Sequence, residues 1–222
     1  MIYFETFSVP TADTLFLLIL SILTLESAHS IRFLYQHFLS GITEKSLNVF
    51  YYACSYAKVD YSRFMNTTVR IALKLVPDSL QTQPVFLCMD DTMVSKFGTK
   101  FENVSKLFDH AAHNGSNYLN GHCFVSVMLC VPVWNGDKVS HLSVPLGYRM
   151  WQKKESKLEL AASMIRQVMP EFQEKKQVII LCDSWYTKRN LVSIVDEYLN
   201  LDLIGNARID SVMYAPAHTG RR

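Results

Sequence analysis

This 222-residue chain lacks the usual marks of a nucleotide or redox site. Neither GxGxxG nor GxxxxGK followed by Ser or Thr occurs, so no glycine loop can cradle a phosphate in the familiar way. None of the five cysteines (Cys54, Cys88, Cys123, Cys130, Cys182) forms a CxxC pair. Four of them sit in apolar, strand-like runs and read as buried free thiols of a reducing compartment. Charge is sparse: 19% of residues are charged and the net charge is only +2. A nucleic-acid surface must therefore come from local clustering, not from global basicity. The first fourteen residues hold no Lys or Arg and do hold Glu5 and Asp13, which excludes the positive start of a signal peptide. The apolar run Leu15 to Leu25 is short for a membrane span and is bracketed by Asp13, Glu26 and His29. It reads as a buried helix, with membrane association as the alternative. No internal repeat or low-complexity segment is present.

What is present is a globular composition, 49% apolar. Residues 12–76 read as helices, with Thr11-x-Asp13 and Thr43-x-x-Ser46 as caps and a short helix over Val69–Val76. The polar segment Asp78 to Pro84 reads as a link, giving a helical region over 1–80 and a second region over 85–222. Strands are expected at 85–90, 124–131 and 139–146, the last two joined by the turn Asn135-Gly136-Asp137. An amphipathic helix over 157–169 follows, then a strand at 177–182, a helix over 188–199 and a strand at 201–207. The order is βββαβαβ, which is not the alternating order of a Rossmann fold.

Two apolar runs end in a carboxylate: Val85-Phe86-Leu87-Cys88-Met89 in Asp90, and Val178-Ile179-Ile180-Leu181-Cys182 in Asp183. A buried strand that delivers an aspartate at its carboxyl end can hold a hard dication such as Mg²⁺ or Mn²⁺. Paired carboxylates repel one another when empty, which favours a cation between them. The plainer reading is that each aspartate caps a strand or opens a helix. Asp91 competes with Asp90, but strand alternation sends neighbours to opposite faces. That favours Asp90 as ligand, with Thr92 on its face as support. His110, His113 and His122, beside Cys123, have a spacing compatible with zinc but lack a cysteine pair, and read as structural or DNA-facing loop histidines. Basic residues cluster with aromatics at Arg149, Trp151, Lys153, Lys154 and Lys157, and again at Trp185, Tyr186, Lys188 and Arg189. Such clusters suit a phosphate backbone, and equally a solvated basic surface.

Asp90-Asp91-Thr92, Lys96-Phe97-Gly98-Thr99-Lys100, the run Phe108 to Gly115, Gly121 to Val125, and Val178 to Tyr186 together resemble the DDE-superfamily transposases of bacterial insertion sequences. The resemblance implies an α/β fold: an N-terminal helical region followed by a partial ribonuclease H-like mixed sheet lacking the final acidic helix. It implies Asp90 and Asp183 as catalytic metal ligands, Mg²⁺ or Mn²⁺ as cofactor, and cleavage and strand transfer of double-stranded DNA bearing terminal inverted repeats. It further implies a homo-oligomer, N-terminal helices that help bind DNA ends, Lys96 and Lys100 near the scissile strand, a bacterial cytoplasmic, nucleoid-associated location and no stable membrane association. The family's third acidic residue lies on a helix after the fifth strand. Asp196 and Glu197 precede that strand and do not fill the position. The chain is therefore expected to be the front part of a transposase. The alternative is a catalytically inactive DNA-binding or assembly fragment.

Overall fold

The structure, a computed structural model, describes residues 7–27, 30–98, 100–108, 117–207, 209, 211 and 212. By its internal contacts the chain divides into two compact units, Met1–Ile71 and Ala72–Arg222.

The first unit is helical. Helix α1 (Val9–Thr24) starts after Ser8 with Pro10 in its first turn, where the missing N–H costs nothing. Thr11 and Asp13 thus lie inside the helix rather than capping it, and Asp13 pairs with Lys45 at 3.1 Å. Helix α2 (Ile31–Leu34) is capped by Ser30, whose Oγ accepts from the Phe33 N–H. A π-helical turn (Tyr35–Leu39), α3 (Ser40–Ile42) and α4 (Leu47–Ser55) follow. Leu18, Leu34, Leu39 and Phe50 form the core of these helices. No helix among the described residues is long and apolar enough to cross a membrane. Helix α5 (Tyr61–Lys74) runs through the unit boundary and starts well before the expected Val69. Its start is set by Asp60, whose Oδ1 accepts from the Arg63 N–H at 2.9 Å.

The second unit opens with a 3₁₀ turn (Asp78–Leu80) in the expected link and then builds a six-stranded mixed sheet. Its strands are β1 (Val85–Ser95), β2 (Ser105–Phe108), β3 (Tyr118–Asn135), β4 (Lys138–Met150), β5 (Val178–Cys182) and β6 (Leu201–Gly205). Strand β3 runs antiparallel to β1, β2 and β4, while β5 lies parallel to β1 and β6 parallel to β5. Leaving aside the short β2, the order across the sheet is β4-β3-β1-β5-β6. The architecture is mixed α/β, with N-terminal helices followed by a sheet of parallel and antiparallel strands, as expected.

Helix α6 (Lys157–Val168) begins with a capping box: Ser156 Oγ accepts from the Glu159 N–H, and the Glu159 carboxylate accepts from the Ser156 N–H. Its Leu158, Ala161, Ala162 and Ile165 are buried, as are Val85, Leu87 and Met89 of β1, Val125, Val127 and Leu129 of β3, and Val178 and Ile180 of β5. One face of the sheet is thus core; the other is open or half-buried around β1 and β5, and closes at Cys130 and Pro132 of β3. Helix α7 is a single turn (Arg189–Val192) continued as a 3₁₀ stretch (Ser193–Glu197), not one helix over 188–199.

Two strands differ from expectation in a way that matters for the site. Strand β1 does not stop at Asp90; β3 pairs with it as far as Ser95 opposite Gly121. Strand β2 arises in a charged segment in which only Leu107 is buried, so no apolar alternation marks it.

Candidate active site

The parallel ladder of β1 and β5 closes with Met89 opposite Cys182. The next residue on each strand is an aspartate, so Asp90 and Asp183 stand side by side just past the last registered pair. Partners in register share a face. Both aspartates therefore belong to the face of Phe86, Cys88, Ile179 and Leu181, opposite the buried Val85, Leu87 and Met89. Both are exposed.

The backbone around each carboxylate is fixed. The Asp90 carbonyl accepts from Ser126 Oγ at 3.0 Å across the β1–β3 ladder, and its Oδ1 accepts from the Asp91 N–H at 2.8 Å. Asp183 Oδ1 accepts from the N–H groups of Trp185 (3.0 Å) and Tyr186 (3.3 Å), holding the turn that leaves β5. The capping role and the ligand role are thus compatible. Among the described residues, Oδ2 of each aspartate accepts no hydrogen bond and is free for a cation. These are hard oxygen donors on one face, which fits a divalent ion. Among the described residues, no three His, Cys, Asp or Glu side chains group to hold a metal.

Asp91 is committed elsewhere. It points to the core face, where it forms an ion pair with Lys157 at the start of α6 and accepts a hydrogen bond from Cys123 Sγ at 3.2 Å. Burial works to depress the Lys157 ammonium, but the hydrogen bond and charge of Asp91 outweigh it, and the net direction is upward. Burial, then the hydrogen bond to Asp91, pushes the Cys123 thiol up to about 11. Cys88, whose sulfur lies 3.7 Å from that of Cys130, is pushed up to about 12 by burial and by its neighbour. Neither sulfur is a ready nucleophile at neutral pH.

Trp185 stands beside this cluster, with Lys188 Nζ 4.4 Å and Lys157 Nζ 5.2 Å from its ring centre. Tyr186 is fully buried and its hydroxyl has no hydrogen-bond partner among the described residues. Burial first, and then the negative charges of the cluster headed by Asp91, push the phenol well upward. Tyr186→Phe is accordingly expected to raise stability by about 1 kcal/mol, since it removes a buried donor that no described residue satisfies. Urea unfolding checks this, and a loss of stability would show that the hydroxyl has a partner in solution.

Thr92 lies on the open face with Asp90, opposite Phe124. Lys100, Lys153, Lys154, Lys188 and Arg189 are exposed, and Lys96 is half-buried with its ammonium 5.6 Å from the Phe101 ring centre. Arg149 is not brought to the carboxylates. Its guanidinium donates to Ser163 Oγ at 2.9 Å and to Gln167 Oε1, binding β4 to α6. Glu197 accepts two hydrogen bonds from Arg166, at 2.8 and 2.5 Å, and is spent there. His122 Nε2 contacts the Glu102 carbonyl at 2.8 Å, a structural role; His110 and His113 lie outside the described residues.

No curated protein matches the chain. Two solved structures of the Mos1 transposase match weakly. The strand transfer complex shares 14% identity at a TM-score of 0.28, covering 90% of this chain and 58% of that one. The paired-end complex with the left transposon end shares 13% at 0.30, covering 89% and 58%. This chain thus spans less than two thirds of the length of those chains. The model of the DDE superfamily endonucleases, enzymes that generally use divalent metal ions, matches residues 51–221, more than three quarters of the sequence. The chain belongs to the DDE superfamily endonuclease family.

Proposed function

We propose that Asp90 and Asp183 are two acidic ligands of a Mg²⁺ or Mn²⁺ site for transposase-type cleavage and strand transfer of DNA. The observation that carries this is their placement: each directly follows the last registered pair of two adjacent parallel strands, both are exposed, and each has an Oδ2 that accepts no hydrogen bond among the described residues. When bound, the metal would supply activation of a water or 3′-hydroxyl and stabilisation of the leaving oxygen of a phosphodiester. The chain's own residues do the positioning. Ser126 and the turn at Trp185–Tyr186 hold the two carboxylates against the sheet. Lys157 keeps Asp91 on the far face, so that only one carboxylate of the Asp90-Asp91 pair turns to the ion. Lys188, on the Trp185 ring, offers a cation to a phosphate next to Asp183, with Arg189, Lys153 and Lys154 as further backbone contacts and Lys96 and Lys100 toward the far end of β1. The proposed partner is double-stranded DNA with terminal inverted repeats, with the helical residues 1–80 contributing to end binding and the chain acting as an oligomer.

The test is calorimetric titration of Mn²⁺ into the wild-type chain and the Asp90→Asn/Asp183→Asn double variant. Binding should weaken by about tenfold or more when both charges are removed. Equal binding by the two proteins sinks the assignment.

A second reading is a catalytically inactive DNA-binding or assembly fragment. It is favoured by Glu197 being held by Arg166, with no third acidic ligand grouped among the described residues. Binding of inverted-repeat DNA without nicking, in Mn²⁺ that the protein demonstrably binds, would select it.

A further inference from the structure

Helix α1 carries no charge after Asp13, and it faces its core with the smaller, more polar side. Thr14 and Ser21 are buried, while Phe16, Ile19, Ile22 and Leu23 are each 51% to 79% exposed. The buried hydroxyls are satisfied inside the helix. Thr14 Oγ1 donates to the Pro10 carbonyl at 2.8 Å, and Ser21 Oγ to the Leu18 carbonyl at 2.7 Å. Leu18 joins them on that side and packs with Leu34, Leu39 and Phe50. On the other side, Phe16, Ile19 and Leu23 stand at i, i+3 and i+7 and form one stripe, with Ile22 on its flank.

Half-exposed side chains of this size each show about 100 Å² of apolar surface. With Val9, itself 64% exposed, the stripe offers roughly 500 Å², the scale at which an apolar patch marks an interaction site. Charge decides the kind of partner. The chain holds no Lys or Arg before Arg32. A nucleic acid needs cations, and helices that lie on anionic lipid carry them on their polar face. An apolar protein stripe needs none, and the same stripe on a second copy matches this one in size.

We propose that the Phe16–Leu23 stripe of α1 is a homodimer interface, on which two copies of the chain pack their first helices antiparallel. The proposal names a surface for the oligomer put forward above and rests on that reading alone, not on Asp90 and Asp183. With the two-fold axis at Ile19, that residue meets itself, and Phe16 of each copy meets Ile22 of the other, a ring against a smaller side chain. Glu26 of each copy comes level with Ala12 and Asp13 of the other, where Lys45, 3.1 Å from Asp13, supplies a cation. The pair buries roughly 1,000 Å², the lower bound of a specific interface, so the dimer is weak and concentration-dependent.

The test is sedimentation velocity of the full chain from about 1 to about 100 µM. Wild type should pass from monomer toward dimer across that range. Ile19→Glu sets two carboxylates against each other on the axis and should weaken the dimer by at least about tenfold, while Ile19→Leu keeps it within about threefold. A dimer that survives Ile19→Glu overturns the interface. So does a wild type that stays monomeric; its co-sedimentation with phosphatidylcholine vesicles would then assign the stripe to a lipid surface. Should Ile19→Glu fail to fold, a benzoylphenylalanine photocrosslinker in place of Leu23 decides. Covalent dimers joined through α1 of the other copy support the interface, and adducts confined elsewhere, or none, overturn it. Loss of the dimer in Ile19→Glu, in a chain that binds Mn²⁺ equally well with and without Asp90 and Asp183, sinks the metal reading and leaves the interface standing. The reverse pattern overturns the interface alone.

Discussion

Asp91→Ala is expected to cost about 2–3 kcal/mol of stability, while Asp90→Ala changes it by less than about 1 kcal/mol. The two residues are neighbours of identical chemistry, so the contrast comes from where the strand points them. Asp91 is paired with Lys157, and about a fifth of each side chain reaches solvent. Removing one partner of a fully buried pair costs about 3–5 kcal/mol, and partial exposure lowers that figure. The variant leaves the Lys157 ammonium and the Cys123 thiol facing a gap between β1 and α6. Asp90 is exposed, and its loss also relieves repulsion with Asp183. Replacing both members of the pair, as in Asp91→Leu/Lys157→Met, should recover most of the loss. The pH dependence has a definite sign. Lys157 has a raised affinity for its proton in the folded chain, so its contribution is complete below the ordinary lysine value of about 10.5. It is lost as pH rises through the raised folded value, and the wild type should lose its advantage over Asp91→Ala only in that alkaline range. Urea unfolding of both single variants at neutral pH and across pH 9–12 checks this. Equal destabilisation by the two substitutions would overturn the face assignment.

The carboxylate pair was legible because each aspartate ends an apolar run with no other charge in it. Alternation in twos then separated Asp90 from Asp91. The partner that holds Asp91 was not legible, because Lys157 is 66 positions away and reaches it only through the packing of α6. Strand β1 beyond Asp90 was not legible either. Thr92 to Ser95 have no continuous apolar face, and they stay extended because β3 supplies the ladder. Arg149 shows a subtler failure. Val144 is opposite Leu129 on the core face, so counting in twos puts Leu146 and Tyr148 there and Arg149 on the open face. A bulge at Leu146, where the β3 register shifts between Val127 and Met128, reverses that count. Arg149 then falls opposite Val125, on the side of α6, and Tyr148 on the open side. A one-residue insertion in a ladder leaves no composition signal, so a basic residue beside Trp151 looked like a DNA contact.

Gly121→Ala is expected to cost about 3 kcal/mol, because the clash it creates is with backbone. A Cβ at this position would lie 2.2 Å from the Val94 carbonyl oxygen and 2.9 Å from its carbon. No rotamer change relieves that contact; β1 and β3 have to separate. Gly121 is hemmed in from both sides, opposite Ser95 of β1 and Ser105 of β2, and the Lys96 N–H donates to the adjacent Asn120 carbonyl at 2.8 Å. Only glycine allows this approach, and the conformation itself is ordinary strand. The separation should be local. Asp90 lies five residues before Ser95 and is held between β3 on one side and β5 on the other, so the carboxylate pair should keep its register. Phe108 and Tyr118 lie beyond the clash, on the segment that must move. Gly121→Ala should therefore lower the unfolding midpoint while changing Mn²⁺ affinity by less than about threefold. Unfolding and calorimetry on the one variant make the comparison. A variant as stable as wild type would show that the strands do not approach this closely. Parallel loss of metal binding would show that Asp90 depends on the far end of β1 for its position, and that the carboxylate and the β1–β3 contact at Gly121 move as a single unit.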